Sequence, residues 1–128
     1  MSRILRSIRP LAVVAGLVVF GGCQVTTDAA VPVRASITVG YGQSQPAGTV
    51  FPIPLGIIVV DQYDYGAPNV QVTWKITSGG GSLSAATTTT SDAGVTSNVY
   101  TAGQTAGTVT ITADVAGVGQ LTFTETVT

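Results

Sequence analysis

The eight residues Val70-Gln71-Val72-Thr73-Trp74-Lys75-Ile76-Thr77 alternate apolar and polar side chains without a break, and this restricts the fold more than any other feature of the chain. In an extended backbone, successive side chains point to opposite faces. Val70, Val72, Trp74 and Ile76 therefore share one face, and Gln71, Thr73, Lys75 and Thr77 the other. One face belongs to a core and the other to water, as in a half-buried antiparallel sheet.

Further short segments carry the same signal, separated by Gly, Pro, Asn and Asp clusters. Leu55 to Val60 is apolar throughout, with Leu55, Ile57 and Val59 expected inward and Ile58 and Val60 outward. Pro52 and Pro54 mark an irregular approach to it. Gly79-Gly80-Gly81 predicts a loop. Thr87 to Ser91 reads as a polar edge strand, which Asp92-Ala93-Gly94 turns back as a hairpin into Val95 to Thr101. Thr108 to Val115 places Ile111, Ala113 and Val115 inward, and Leu121 to Val127 does the same for Leu121, Phe123 and Val127. With Ala35 to Val39 at the start, about seven strands result. That count predicts an all-β fold, an immunoglobulin-like antiparallel β-sandwich over residues 35–128. Charged residues make up only 9% of the chain and glycines number 16, a balance suited to short strands and turns rather than long helices.

The N-terminus follows a different logic. Arg3, Arg6 and Arg9 precede the uncharged run LAVVAGLVVF, the layout of a secretory signal, and that run is too short to span a bilayer. It ends in Phe20-Gly21-Gly22-Cys23, and Cys23 is the sole cysteine, so no disulfide can form within the chain. These residues resemble the lipobox of bacterial lipoproteins. The resemblance implies a signal peptide at 1–22, lipidation at Cys23 and, because Gln24 follows the cysteine, an outer-membrane or cell-surface destination. Residues 23–34 are then the lipidated cysteine and a flexible linker, able to reach on the order of 35 Å when extended. Several acyl chains on one residue make a lasting anchor.

The domain itself resembles the bacterial Ig-like group 1 (Big-1) domains found in invasin and intimin adhesins. The match rests on Pro54-Leu55, the Asp61 turn, Pro68-Asn69-Val70 before the Trp74 strand, Ser78-Gly79-Gly80-Gly81-Ser82, Thr90-Ser91-Asp92-Ala93-Gly94 and Thr105-Ala106-Gly107. Three positions depart from the family pattern. Asp64 stands where a glycine is usual, and Asn98 and Glu125 stand where an apolar or small residue is usual. Both Asn98 and Glu125 are expected near strand ends or edges, because an unpaired buried polar group costs about 1–3 kcal/mol.

The chemistry available to the chain is narrow. With no histidine, and the one cysteine assigned to lipid, neither a nucleophilic triad nor a zinc site can be assembled, and no enzyme activity or cofactor is expected. The run TSGGGS lacks the lysine of a phosphate loop. Beyond the leader, the basic residues are Arg34 and Lys75, set against Asp28, Asp61, Asp64, Asp92, Asp114 and Glu125. The balance disfavours nucleic acid as a partner. Immunoglobulin-type topology gathers Asp61, Asp64, Asp92 and Asp114 at one end, a possible Ca²⁺ site, although aspartate is also an ordinary turn residue. The same topology brings the tether to that end and turns the loops 40–50, 77–86 and 101–107 away from the membrane. These predict a module for protein interaction, adhesion or structural display, with an unidentified protein or envelope component as partner. Tyr41, Gln43, Gln45 and Gln104, or the strip of Ile58 and Val60, are the candidate contacts. Two alternatives stand beside it: a carbohydrate-binding module using Tyr63 and Tyr65 with Tyr41, and a subunit that assembles through the Thr87 to Ser91 edge.

Overall fold

A computed structural model describes residues 29–128. The 1–22 leader and the lipidation site at Cys23 lie outside the described residues.

The chain forms ten β elements: β1 (Pro32–Val39), β2 (Ser44–Gln45), β3 (Leu55–Asp61), β4 (Gln71–Ser78), β5 (Ser82–Leu83), β6 (Thr87–Thr89), β7 (Val95–Asn98), β8 (Tyr100–Thr101), β9 (Gly107–Val115) and β10 (Gly119–Val127). Seven of these have three or more residues, and β2, β5 and β8 are two-residue pieces that stitch the loops. One sheet has the order β1-β3-β7 and the other β2-β10-β9-β4-β6, while β5 and β8 pair with each other. Every pairing is antiparallel except that of β2, which joins β10 in parallel.

The core is the layer that the alternation anticipates. Leu55, Ile57 and Val59 of the small sheet are buried, as are Val72, Trp74, Ile111, Ala113, Val115, Phe123 and Val127 of the large one. Trp74 is 4% exposed, its ring lies 5.9 Å from that of Phe123, and its indole N–H donates to Thr88 Oγ1 at 2.8 Å. That bond satisfies the one polar atom the indole carries inward. Ile76 and Leu121, expected inside, are only half-buried. On the water side, the cross-strand pairs Thr122–Thr112, Thr124–Thr110 and Thr126–Thr108 line β10 against β9. Threonine there satisfies β propensity without adding charge.

The structure corrects several expectations. β1 begins at Pro32, so residues 32–34, expected as linker, already lie in the sheet. Pro32 pairs with Asp61, and Val31 N donates to Gln62 Oε1 at 2.7 Å. A proline is tolerated as the first residue of an edge strand. The hairpin expected across Asp92-Ala93-Gly94 is instead a passage between sheets: β6 pairs with β4, and β7 pairs with β3. Gly94 N donates to Ser91 O, and Gly94 O accepts from Val59 N at 2.7 Å. At φ 79° a Cβ on Gly94 would sit 2.3 Å from Val59 O, so this crossing requires glycine. Val95 to Thr101 is not one strand either, because the chain leaves β3 after Asn98 and rejoins at β8, where Tyr100 pairs with Leu83.

Glu125 departs most from expectation. It stands third from the end of β10, near a strand end as expected, but between β9 and β2 it is wholly buried. Asn98 does end β7 but is also buried, at 2% exposure.

Candidate functional site

The two ends of the sandwich are built differently, and the sequence brings distinct chemistry to each. At the end where the described chain enters, Gln62 reaches back to Ala29 O at 2.8 Å and the 61–69 loop folds over the start of β1. Asp61, buried at 5% exposure, organises that loop: its Oδ1 accepts from Tyr63 N at 2.8 Å and from Tyr65 N at 3.1 Å. Asp61 N donates to Tyr65 O, and Asp64 N to Asp61 O. Asp64 has φ 66°, the left-handed conformation, which accounts for glycine as the usual residue here. Aspartate tolerates that region better than most side chains. Its carboxylate forms an ion pair with Arg34.

Asp92 projects from the neighbouring turn, exposed, and Asp114 stands on the water side of β9 opposite Thr73. Among the described residues no three acidic side chains are grouped to hold a metal ion. Asp61 is bound to its own turn and Asp64 to Arg34, so the shared end does not gather their oxygens into one shell. Tyr63 is 45% exposed and Tyr65 73% exposed.

At the opposite end three loops interlock. The 40–54 segment leaves the small sheet at Gly40, whose φ of 89° and closeness to the Pro54 carbonyl exclude any side chain. It is then clipped by Gln43, which donates to Gly40 O at 3.1 Å and Ile53 O at 2.7 Å and accepts from Ile53 N at 3.1 Å. Further along, Gly48 N donates to Gly103 O and Ala102 N to Thr49 O, while Phe51 N donates to Tyr100 O. The Phe51 and Tyr100 rings meet edge to face at 4.9 Å beneath these loops. Tyr100 OH donates to Gly80 O at 2.5 Å, fastening the triple-glycine loop, and burial raises the phenol above its ordinary pKa. A cleft of about 410 Å³ opens between residues 79–81 and 103–109. Glycines supply half of its lining, the exposed Gln104, Thr105 and Thr108 supply its polar side chains, and Val109 is its buried apolar residue.

The structure thus separates the candidate residues named from sequence. Gln104 borders the cleft and is exposed. Tyr41 stands at 60% exposure on the 40–42 turn. Gln45 is half-buried in β2, and the Gln43 side chain is engaged in its clip. Ile58 and Val60 lie mid-sheet, half-buried, opposite Ser36 and Arg34. Two polar groups that the sequence marked out only as departures, without placing them inside, are buried and bonded. Glu125 Oε1 accepts from Gln43 N at 2.6 Å, and Asn98 clasps Ala85 through its main-chain N and O. The period-two register with Phe123 and Val127 already pointed Glu125 inward.

No protein-family model matches the chain, and no curated protein matches it in sequence. Solved structures do match. The D00–D0 domains of intimin superpose with a TM-score of 0.60 at 19% identity, over 90% of this chain and 54% of that one. The Yersinia pseudotuberculosis adhesin InvE gives 0.62 at 19% identity, over 75% of this chain and 32% of that one. A glycosyl hydrolase family 2 member from Bacteroides cellulosilyticus also gives 0.62, at 16% identity, over 76% of this chain and 14% of that one. The chain therefore spans about half or less of each of these three structures. The fold is the immunoglobulin-like sandwich of intimin-type domains. At such identities the likeness establishes the fold and nothing finer, and the same fold serves adhesins and a segment of an enzyme.

Proposed function

We propose that this chain is a non-enzymatic, lipid-anchored immunoglobulin-like module, exported to the outer membrane or cell surface, which binds a protein partner through the loops remote from its tether. The carrying observation is the placement of the two ends. The chain from the Cys23 side arrives beside the 61–69 loop, whereas the 40–54, 79–81 and 101–107 loops and their cleft lie at the other end. A module anchored at one end presents the other.

The chemistry of the cleft narrows the kind of partner. Its lining is rich in glycine main chain and carries no charged side chain, which suits an uncharged extended polypeptide segment better than a polyanion such as nucleic acid. The adhesins among the matched structures are in keeping with this use. The test is capture from envelope and host extracts on the full chain, compared with Ala106→Trp, which sets a bulky ring at an exposed position lining the cleft. A captured protein lost in Ala106→Trp and kept in Tyr65→Ala supports the reading. Equal capture by both variants refutes it.

Tyr63 and Tyr65 favour a second reading, since two exposed rings on one rigid turn form a surface on which a sugar can stack. Glycan binding abolished by Tyr65→Ala supports it, and a flat glycan array removes it. The anchor is tested separately: mass spectrometry of the mature N-terminus is expected to find an acylated Cys23, and an unmodified Cys23 or cleavage elsewhere refutes that part.

A further inference from the structure

Glu125 is fully buried near the end of β10, and its Oε2 is the only buried side-chain polar atom among the described residues that lacks a hydrogen-bond partner. Its Oε1 accepts from Gln43 N at 2.6 Å. Nothing that faces it carries positive charge. Across the ladder β9 presents Val109. From β8 comes Tyr100, a further titratable group, whose hydroxyl is turned to Gly80 O. From the 40–47 strap comes a peptide N–H. Arg34 is paired with Asp64 at the other end, and Lys75 lies on the water side of β4. Burial therefore favours the neutral acid and raises its pKa above the usual value, with the Gln43 N–H acting in the opposite direction.

The strap over this carboxyl is thin. It crosses to β10 through Gly42 N to Thr124 O at 3.2 Å, Thr126 N to Gln43 O and Thr128 N to Gln45 O at 2.9 Å, and Ala47 N to Thr128 O at 3.1 Å. Hydrating Glu125 requires lifting this segment, which takes edge strand β2 off β10 and strains the Gln43 clip to Ile53, while β10-β9-β4-β6 and β1-β3-β7 keep their pairings.

We infer that Glu125 is a pH-operated latch beneath the strap: protonated, it lies closed under residues 40–47, and loss of its proton to solvent shifts the strap toward an open, hydrated state. In the open state the carboxyl has the value of an exposed glutamate, so between that value and its own closed-state value the open population grows up to tenfold per pH unit, then levels off. Opening would also carry Tyr41 and Gln43 with it. Any effect on partner binding rests on the proposed function, whereas the latch does not.

The test is amide exchange of the full chain across pH, corrected for the intrinsic rate of each amide. Gly42, Gln43, Thr126 and Thr128 are expected to lose protection by up to tenfold per unit within that window, while Lys75 and Ala113 in the β4–β9 ladder do not. In Glu125→Gln the extra pH dependence is expected to vanish. Strap amides that track the ladder amides at every pH, or a variant with wild-type dependence, overturn the latch. Should the variant fail to fold, the ¹³C titration of the native Glu125 carboxyl decides, since a midpoint at the ordinary glutamate value overturns it equally. A working latch with partner capture insensitive to pH counts only against the involvement of the strap in binding.

Discussion

Replacing Asn98 with alanine isolates the contribution of one buried amide. Its Nδ2 donates to Ala85 O at 2.7 Å, and its Oδ1 accepts from Ser84 Oγ at 2.7 Å, from Ala85 N at 3.1 Å and from Val99 N at 3.0 Å. Truncation leaves both main-chain groups of Ala85 without these partners. Each buried unsatisfied group costs about 1–3 kcal/mol. Ala85 is only half-buried and Ser84 is exposed, so water can reach part of the gap and the lower half of that range applies. The expected loss is about 2–3 kcal/mol, which for a domain of this size lowers Tm by roughly 10–20 °C. Urea unfolding followed by circular dichroism measures it, with Ser97→Ala, exposed on the same strand, as a control expected within about 0.5 kcal/mol of wild type. A change in Asn98→Ala no larger than that of the control, with an unchanged m value, would refute the claim that this clasp holds the break between β7 and β8.

Gly94→Ala is expected to cost more than about 3 kcal/mol or to prevent folding, because its Cβ would meet Val59 O at 2.3 Å from a left-handed backbone; soluble yield and thermal melting check this. Trp74→Ala is expected to lose about 3–5 kcal/mol as the core opens beside Phe123, measured by chemical denaturation, and wild-type tryptophan emission should be blue-shifted. For Glu125 the sign follows from its raised folded-state value. As pH rises, the unfolded chain releases this proton first, near 4.5, so the destabilisation is absent below that pH, grows up to the folded-state value and is complete above it. Glu125→Gln removes the charge and retains an acceptor for Gln43 N. The stability difference between variant and wild type should therefore shift in favour of the variant as pH rises through that window, and a difference independent of pH would count against a buried charge.

The alternation of residues 70–77, 108–115 and 121–127 was enough to determine an all-β sandwich and most of its core, because side-chain direction in an extended chain is a local property that each residue inherits from its neighbours. A turn at Asp92-Ala93-Gly94 and a loop at Gly79-Gly80-Gly81 were visible in the same way. Strand partners were not. Thr87–Thr89 and Val95–Asn98 read as a hairpin from the turn residues alone, and only the packing of Gly94 against Val59 separated them into different sheets. The placement of Asn98 and Glu125 illustrates the same divide. Sequence could register two polar residues at apolar positions, but whether each finds partners depends on segments distant in the chain: Ala85 supplies both main-chain groups to Asn98, and Gln43 supplies one N–H to Glu125. Hydrogen-bond satisfaction is a property of three-dimensional neighbours, and so the tertiary structure alone decided that one of these groups is a clasp and the other a buried acid with an oxygen left over.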